Sequence, residues 1–202
     1  QLYSLSKSFT STAIGFMTDD GVIDINDRVV DIFSDKCPEN IGENLSKMRL
    51  RHLLSMNTGH SRCLLDDIRR DEDPVKSFLE FEPEFEPGTH FFYNNAATFM
   101  LSEIVRKYTG MTMYDFLNQR LFALLGISGT HWNTFADGNS QGAVGLHAST
   151  DDVAKLGLLY LNKGMYNGRR ILSEEWVETA AKAWSDNSTN GTPDWVAGYG
   201  FQ

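Results

Sequence analysis

Apolar residues at Leu5, Phe9, Ala13, Phe16 and Met17 recur every three to four positions, so the chain reads as helical over residues 4–17. Asp20-Gly21 then marks a turn. Between Gly21 and Phe33 short apolar groups alternate with acids, a pattern that suits a short strand or turn followed by a helix. Leu50 to Met56 is a compact helical stretch, stopped by Asn57-Thr58-Gly59, where Gly or Asn can take the left-handed conformation of a helix end. Charge density from Asp66 to Asp73 predicts a solvated loop or helix face, and the acidic, aromatic run from Phe78 turns at Pro87-Gly88. The clearest helix spans Asn95 to Tyr108, with Phe99, Met100, Ile104, Val105 and Tyr108 on one side and Gly110 just past its end. Another follows, capped by Thr112, with Tyr114, Phe116, Leu117, Leu121 and Leu124 as its buried stripe before Gly126. Ser149-Thr150-Asp151-Asp152 opens a helix that runs to Gly164, and Ser173-Glu174-Glu175 opens one through about Ala183, both with acids at the positive end of the helix dipole. Ala197 to Gln202, with glycines at 198 and 200, looks like the start of a strand. The pattern is helix-rich, with few strands and no repeat.

A length of 202 residues argues for one domain or a large piece of one, and 41% hydrophobic with 22% charged residues is the balance of a folded globular chain. Opening on a helix at Gln1 without Met or leader, and closing on a strand without its partner, residues 1–202 read as a single, incomplete domain, an internal piece of a longer chain. Eighteen Lys and Arg against 27 Asp and Glu leave a net charge of −9, so the basic footprint of a nucleic-acid binder is missing. The longest apolar runs, such as Leu156 to Leu161, fall far short of the roughly 20 residues that cross a bilayer, so no transmembrane span is expected. Cys37 and Cys63 are too few for a disulfide scaffold and lack zinc-site spacing; a single bridge fits the sequence, two free thiols fit it better. His52, His60, His90, His131 and His147 form no HxxxH or HExxH pair, so each reads as a surface or packing residue and no metal or cofactor is expected.

Two short motifs carry chemistry. Ser4-Leu5-Ser6-Lys7 is an S-x-x-K at a helix start, and residues three apart share a helix face, so the Lys7 amine can reach Ser4 Oγ. Serine needs such a neighbour to become a nucleophile, and the backbone N–H groups of a helix start can hold developing negative charge. The plainer reading makes Ser4 a helix cap and Lys7 a solvated cation, and sixteen Ser with eight Lys in 202 residues give roughly 0.6 matches by chance. Tyr93-Asn94-Asn95 is a Y-x-N on the turn before the clearest helix, a place where a phenol and an amide can be exposed side by side. Tyr160-Leu161-Asn162 spells the same motif late in an amphipathic helix, where Tyr160 reads as core and Asn162 as the approach to the Gly164 stop.

Order and context decide between these readings. The run Tyr3 to Thr10 resembles the nucleophile helix of the serine β-lactamase and penicillin-binding-protein family, closest to class C β-lactamases and their esterase and D-aminopeptidase relatives. Gly21 to Asp27 is similar to that family's G-x-I-x-L-D-D segment, and Leu50 to Gly59 to its I-R-H-L-L-T-H-T-S-G, with Thr58 where serine is usual. Pro87-Gly88-Thr89 to Asn95, Leu124 to Ile127 with Thr130, and Gly145 to Asp152 follow in the family's order and spacing. The third family motif, K-T-G or H-x-G on a C-terminal strand, has no counterpart in residues 96–202.

The resemblance implies an α/β (α+β) fold of the β-lactamase/transpeptidase type, of which this chain is mostly the helical region. It implies a serine hydrolase acting through an acyl-enzyme on a small-molecule or peptide substrate, β-lactams or related amides and esters. Ser4 would be the nucleophile and Lys7 would ease its deprotonation. Tyr93 would act as general base on Ser4 and later on water, and Asn95 would orient Lys7 and the substrate amide. The oxyanion hole would pair the Ser4 N–H with one from the C-terminal strand. Esterase or D-aminopeptidase activity, or a catalytically silent scaffold, are the rival expectations. Relatives of this kind are often periplasmic or extracellular.

Overall fold

Helix α1 (Ser6–Asp19) forms because Phe9, Ala13, Phe16 and Met17 make one continuous apolar face, and all four are buried. The computed structural model describes residues 1–188 and 196–202. Among the described residues ten further α-helices follow: α2 (Val29–Ile32), α3 (Glu43–Lys47), α4 (Leu50–Leu54), α5 (Leu65–Ile68), α6 (Pro74–Glu80), α7 (Asn95–Thr109), α8 (Met113–Leu117), α9 (Ala123–Leu125), α10 (Thr150–Leu161) and α11 (Glu174–Ala181). Among the described residues, strands are confined to two antiparallel pairs. Strand β1 (His131–Trp132) pairs with β2 (Leu146–His147), and β3 (Met165–Tyr166) pairs with β4 (Arg169–Arg170).

The chain divides into two compact units. The first comprises Gln1–Ile23 and Ser102–Ala181, the second Asp24–Leu101 and Lys182–Gln202. In the first, α1 packs on α8 and α11. Phe9 meets Phe122 edge to face with ring centroids 5.9 Å apart, and Gly15 lies so close to the Trp176 ring that a Cβ there would sit 2.5 Å from its nitrogen. In the second, Val29, Ile32, Phe33, Leu45, Leu50, Leu53, Leu54, Phe78 and Leu79 are buried. Backbone bonds from Val29 N–H to Met48 O and from Leu50 N–H to Asp27 O tie the entries of α2 and α4 together.

Capping set the starts of α8, α10 and α11 as the sequence reads. Ser149 and Asp152 form a reciprocal capping box on α10, Thr112 Oγ1 accepts from Asp115 N–H at 3.1 Å, and Ser173 Oγ accepts from Trp176 N–H at 2.9 Å. Helix α6 was not legible as such, although Asp73 accepts from Lys76 N–H and Pro74 occupies the first helical position, the usual signature of a start.

Several expected positions moved, each for a local reason. Residues 3–5 form a 3₁₀ turn ahead of α1, whose tighter winding takes Leu5 off the buried stripe and leaves it 42% exposed. A π turn over Asn118–Phe122 inserts one residue into the register, so Phe122 and Leu125 are buried and Leu124 faces out; Tyr114 is only half-buried. The last turn of α7 leaves the core as a whole, and Tyr108 is exposed with it. Helix α4 ends at Leu54, and the left-handed residues beyond it are Met56 (φ 57°) and Gly59 (φ 85°) rather than Asn57. Among the described residues, Ala197 to Gln202 makes a single antiparallel bridge, Tyr199 with Ser185, in place of the expected strand. Cys37 and Cys63 are both free thiols.

His52 caps α4 by accepting Arg49 N–H on Nδ1 at 3.1 Å, and is buried. Burial first, then the Arg51 and Arg49 charges, hold its pKa down to about 4. The unfolded chain, with an ordinary His near 6.5, takes up a proton that the folded chain refuses. His52 therefore contributes stability that is complete above pH 6.5, declines as pH falls toward 4 and is lost below it, a total of about 3 kcal/mol. His52→Asn, which keeps an acceptor and cannot titrate, should be less acid-labile by that amount in urea titrations at pH 7 and 4. Equal pH slopes for parent and variant would contradict this.

Candidate active site

Ser4 stands in the 3₁₀ turn Tyr3–Leu5, one turn ahead of α1, and its side chain is exposed. Lys7, three residues on, is only 1% exposed, and its Nζ donates to Ser4 Oγ at 3.2 Å and to the Ala143 carbonyl at 2.8 Å. A buried amine with these fixed acceptors is a positioned donor, where a solvated lysine would be a wandering charge. The turn is sewn to the loop 142–146. Leu2 N–H donates to Leu146 O at 2.8 Å, Ser6 Oγ accepts Leu146 N–H at 3.2 Å, and Thr10 Oγ1 donates to Gly142 O at 3.0 Å. Immediately before Ser4, Tyr3 has φ 48°, a left-handed backbone that a bulky residue adopts only under constraint. Sequence reasoning did not name Ala143. Its signal was the glycine pair Gly142 and Gly145, both at positive φ, which bends the loop so that its carbonyls face α1.

Tyr93 and Asn95 belong to the second unit. Tyr93 sits on the turn before α7 and meets Tyr199 edge-on, ring centroids 6.3 Å apart at 87°, while Tyr199 also contacts Phe91 at 5.3 Å. Burial, and secondly the charge Tyr93 would carry, push the Tyr199 phenol up out of its ordinary range, so Tyr199 stays protonated at any working pH. Its backbone is fixed by the paired bonds to Ser185, whose Oγ donates to Ser55 O at 2.6 Å. Asn94 is fully buried, and its Oδ1 accepts Leu64 N–H at 3.2 Å and Ala96 N–H at 3.0 Å, capping α7. Asn95 Oδ1 is buried yet has no hydrogen-bond partner among the described residues, an acceptor whose burial costs energy unless something meets it. Thr58, at the position where serine is usual, is buried and bonded to His60 Nδ1 at 3.0 Å, an internal packing contact.

The other Y-x-N is structural. Tyr160 OH is bonded to Thr12 Oγ1 at 2.9 Å, and burial raises its phenol. A cavity of about 510 Å³ in the first unit is lined by none of the four candidate residues; part of its lining is His131 and His147, which stack at 4.1 Å as cross-strand partners. Among the described residues no cluster of three His, Cys, Asp or Glu side chains could hold a metal ion, and no helix is long and apolar enough to cross a membrane.

Residues 1–202 match the Beta-lactamase family from end to end. The chain belongs to the beta-lactamase family. It is 28% identical over 204 residues to the 6-aminohexanoate-dimer hydrolase of Paenarthrobacter ureafaciens, which covers 88% of this chain and 49% of that protein. Among solved structures it is similar to the octameric penicillin-binding protein homologue from Pyrococcus abyssi, with a TM-score of 0.72 at 19% identity over 98% of this chain and 51% of that one. It is similar also to EstCE1, described as a hydrolase with promiscuous acyltransferase activity, with a TM-score of 0.77 at 17% identity over 98% of this chain and 67% of that one. These neighbours establish the β-lactamase/transpeptidase fold for a chain that is mostly helical with small antiparallel sheets. This beta-lactamase-family chain spans about half the length of the 6-aminohexanoate-dimer hydrolase it matches.

Proposed function

We propose that this family member is a serine hydrolase that cleaves amides, β-lactams or related esters through an acyl-enzyme, with Ser4 as nucleophile. The observation that carries this reading is the exposed Ser4 hydroxyl held 3.2 Å from a buried lysine amine. Ser4 Oγ attacks the substrate carbonyl carbon and gives up its proton, and the tetrahedral oxyanion collapses to an acyl-Ser4 ester while the amine or alcohol leaves with a proton. Water then adds to the ester, and Ser4 regains its proton as the acid departs. Lys7, donating to Oγ, lowers the cost of negative charge on that oxygen. Following the class C pattern, Tyr93 is the general base of both half-reactions and Asn95 binds the substrate amide through its side chain.

Incubation with a penicillin, a cephalosporin, an activated ester and a linear 6-aminohexanoate amide, followed by peptide mass spectrometry, tests this reading. One acyl mass should appear on the peptide containing Ser4 and vanish in Ser4→Ala. Ser6 and Ser8 are the neighbours to discriminate, and Ser6 is fully buried with its hydroxyl occupied by Leu146 N–H. Label that persists in Ser4→Ala, or fragments to Ser6 or Ser8, refutes the assignment.

A further inference from the structure

Tyr93 is gripped on both sides by one residue. Phe92 N–H donates to the Met56 carbonyl at 2.9 Å, and Asn94 N–H donates to the Met56 thioether sulfur at 3.3 Å. Met56 is fully buried and lies at φ 57°, a left-handed conformation uncommon for a long unbranched side chain. Strain of that kind persists only where surrounding structure over-determines it, and it concentrates where geometry matters to function. Here the left-handed turn accompanies two bonds from a single residue, its carbonyl taking the amide before Tyr93 and its sulfur the amide after. A leucine would fill the same space with only the first bond.

The surroundings give the same direction. Gly88 N–H bonds to Asn57 O at 2.8 Å, so the segment 88–94 is stitched to residues 56 and 57 along its length. Asn94, in turn, fixes the start of α7 and the Leu64 amide through Oδ1. The Tyr93 backbone thus has little freedom, although Tyr93 lies in a turn rather than in a regular element.

We infer that Met56 is a positioning residue for Tyr93, setting the placement of the phenol that serves as general base. The inference rests on the Tyr93 reading proposed above. Met56→Leu conserves volume and removes only the sulfur acceptor, a change that cores usually tolerate. Misplacement of a reacting group by about 1 Å costs up to about 10²-fold in rate. In Met56→Leu, kcat should therefore fall between about tenfold and a hundredfold while KM stays within about twofold. Met56→Gln, which offers an oxygen acceptor on an unbranched chain, should recover part of that loss even if it melts lower. Thermal melts and steady-state kinetics of the parent, both variants and Tyr93→Phe separate the outcomes. A kcat for Met56→Leu within threefold of the parent, a loss carried by KM, or no recovery in Met56→Gln overturns the role of Met56. Full activity of Tyr93→Phe overturns instead the reading on which it rests.

Discussion

Lys7→Met should reduce kcat/KM by about 10³-fold while leaving the stability of the fold close to the parent's. The activity term follows from the bond to Ser4 Oγ at 3.2 Å: methionine keeps the apolar stem and deletes the donor that favours negative charge on the nucleophile. The stability term follows from the 1% exposure of Lys7. An amine buried to that degree has lost its hydration, and methionine in the same channel has none to lose. Against that gain, the Ala143 carbonyl loses its 2.8 Å donor, which costs about 1–3 kcal/mol if no other partner replaces it. The two effects are of similar size, so a residue that is dispensable for folding and indispensable for rate is the expected outcome. Progress curves on the best substrate of the acylation panel, with melts run alongside, decide it. A kcat/KM within tenfold of the parent would remove Lys7 from the mechanism.

Tyr93→Phe should cost about 10²–10⁴-fold in kcat, and Tyr160→Phe almost nothing at a matched folded fraction. Both residues begin the same Y-x-N spelling, and their surroundings separate them. Tyr160 spends its hydroxyl on Thr12, and losing one such buried hydrogen bond costs about 1 kcal/mol of stability. Tyr93 stands on a turn, its ring edge-on to Tyr199, whose phenol is pushed up by burial and so is no candidate base. Kinetics at equal concentrations of folded protein, measured by circular dichroism, give the comparison. The reverse ranking would mean that the wrong tyrosine has been assigned.

The starts of α8, α10 and α11 were legible in the sequence because their caps are local. Ser149 with Asp152, Thr112 with Asp115 N–H, and Ser173 with Trp176 N–H each complete their bonds within three residues. Register inside the helices was legible only while the winding stayed regular. One 3₁₀ turn misplaced Leu5 and one π turn misplaced Leu124, because either changes the angle per residue without any mark in the hydrophobic pattern. The order of motifs was likewise enough to read the family, since it needs no coordinates.

What the sequence determined by itself, then, is the helical content, the family, and the pairing of Ser4 with Lys7, which three-residue spacing on a helical turn makes a local matter. Only the tertiary structure decided that Lys7 is buried and bonded to a carbonyl 136 residues away, that Tyr160 is spent on Thr12, and that Tyr199 and Met56 surround Tyr93. Those partners are distant in sequence, and backbone carbonyls, a left-handed methionine and a thioether acceptor carry no residue pattern from which spacing could have announced them.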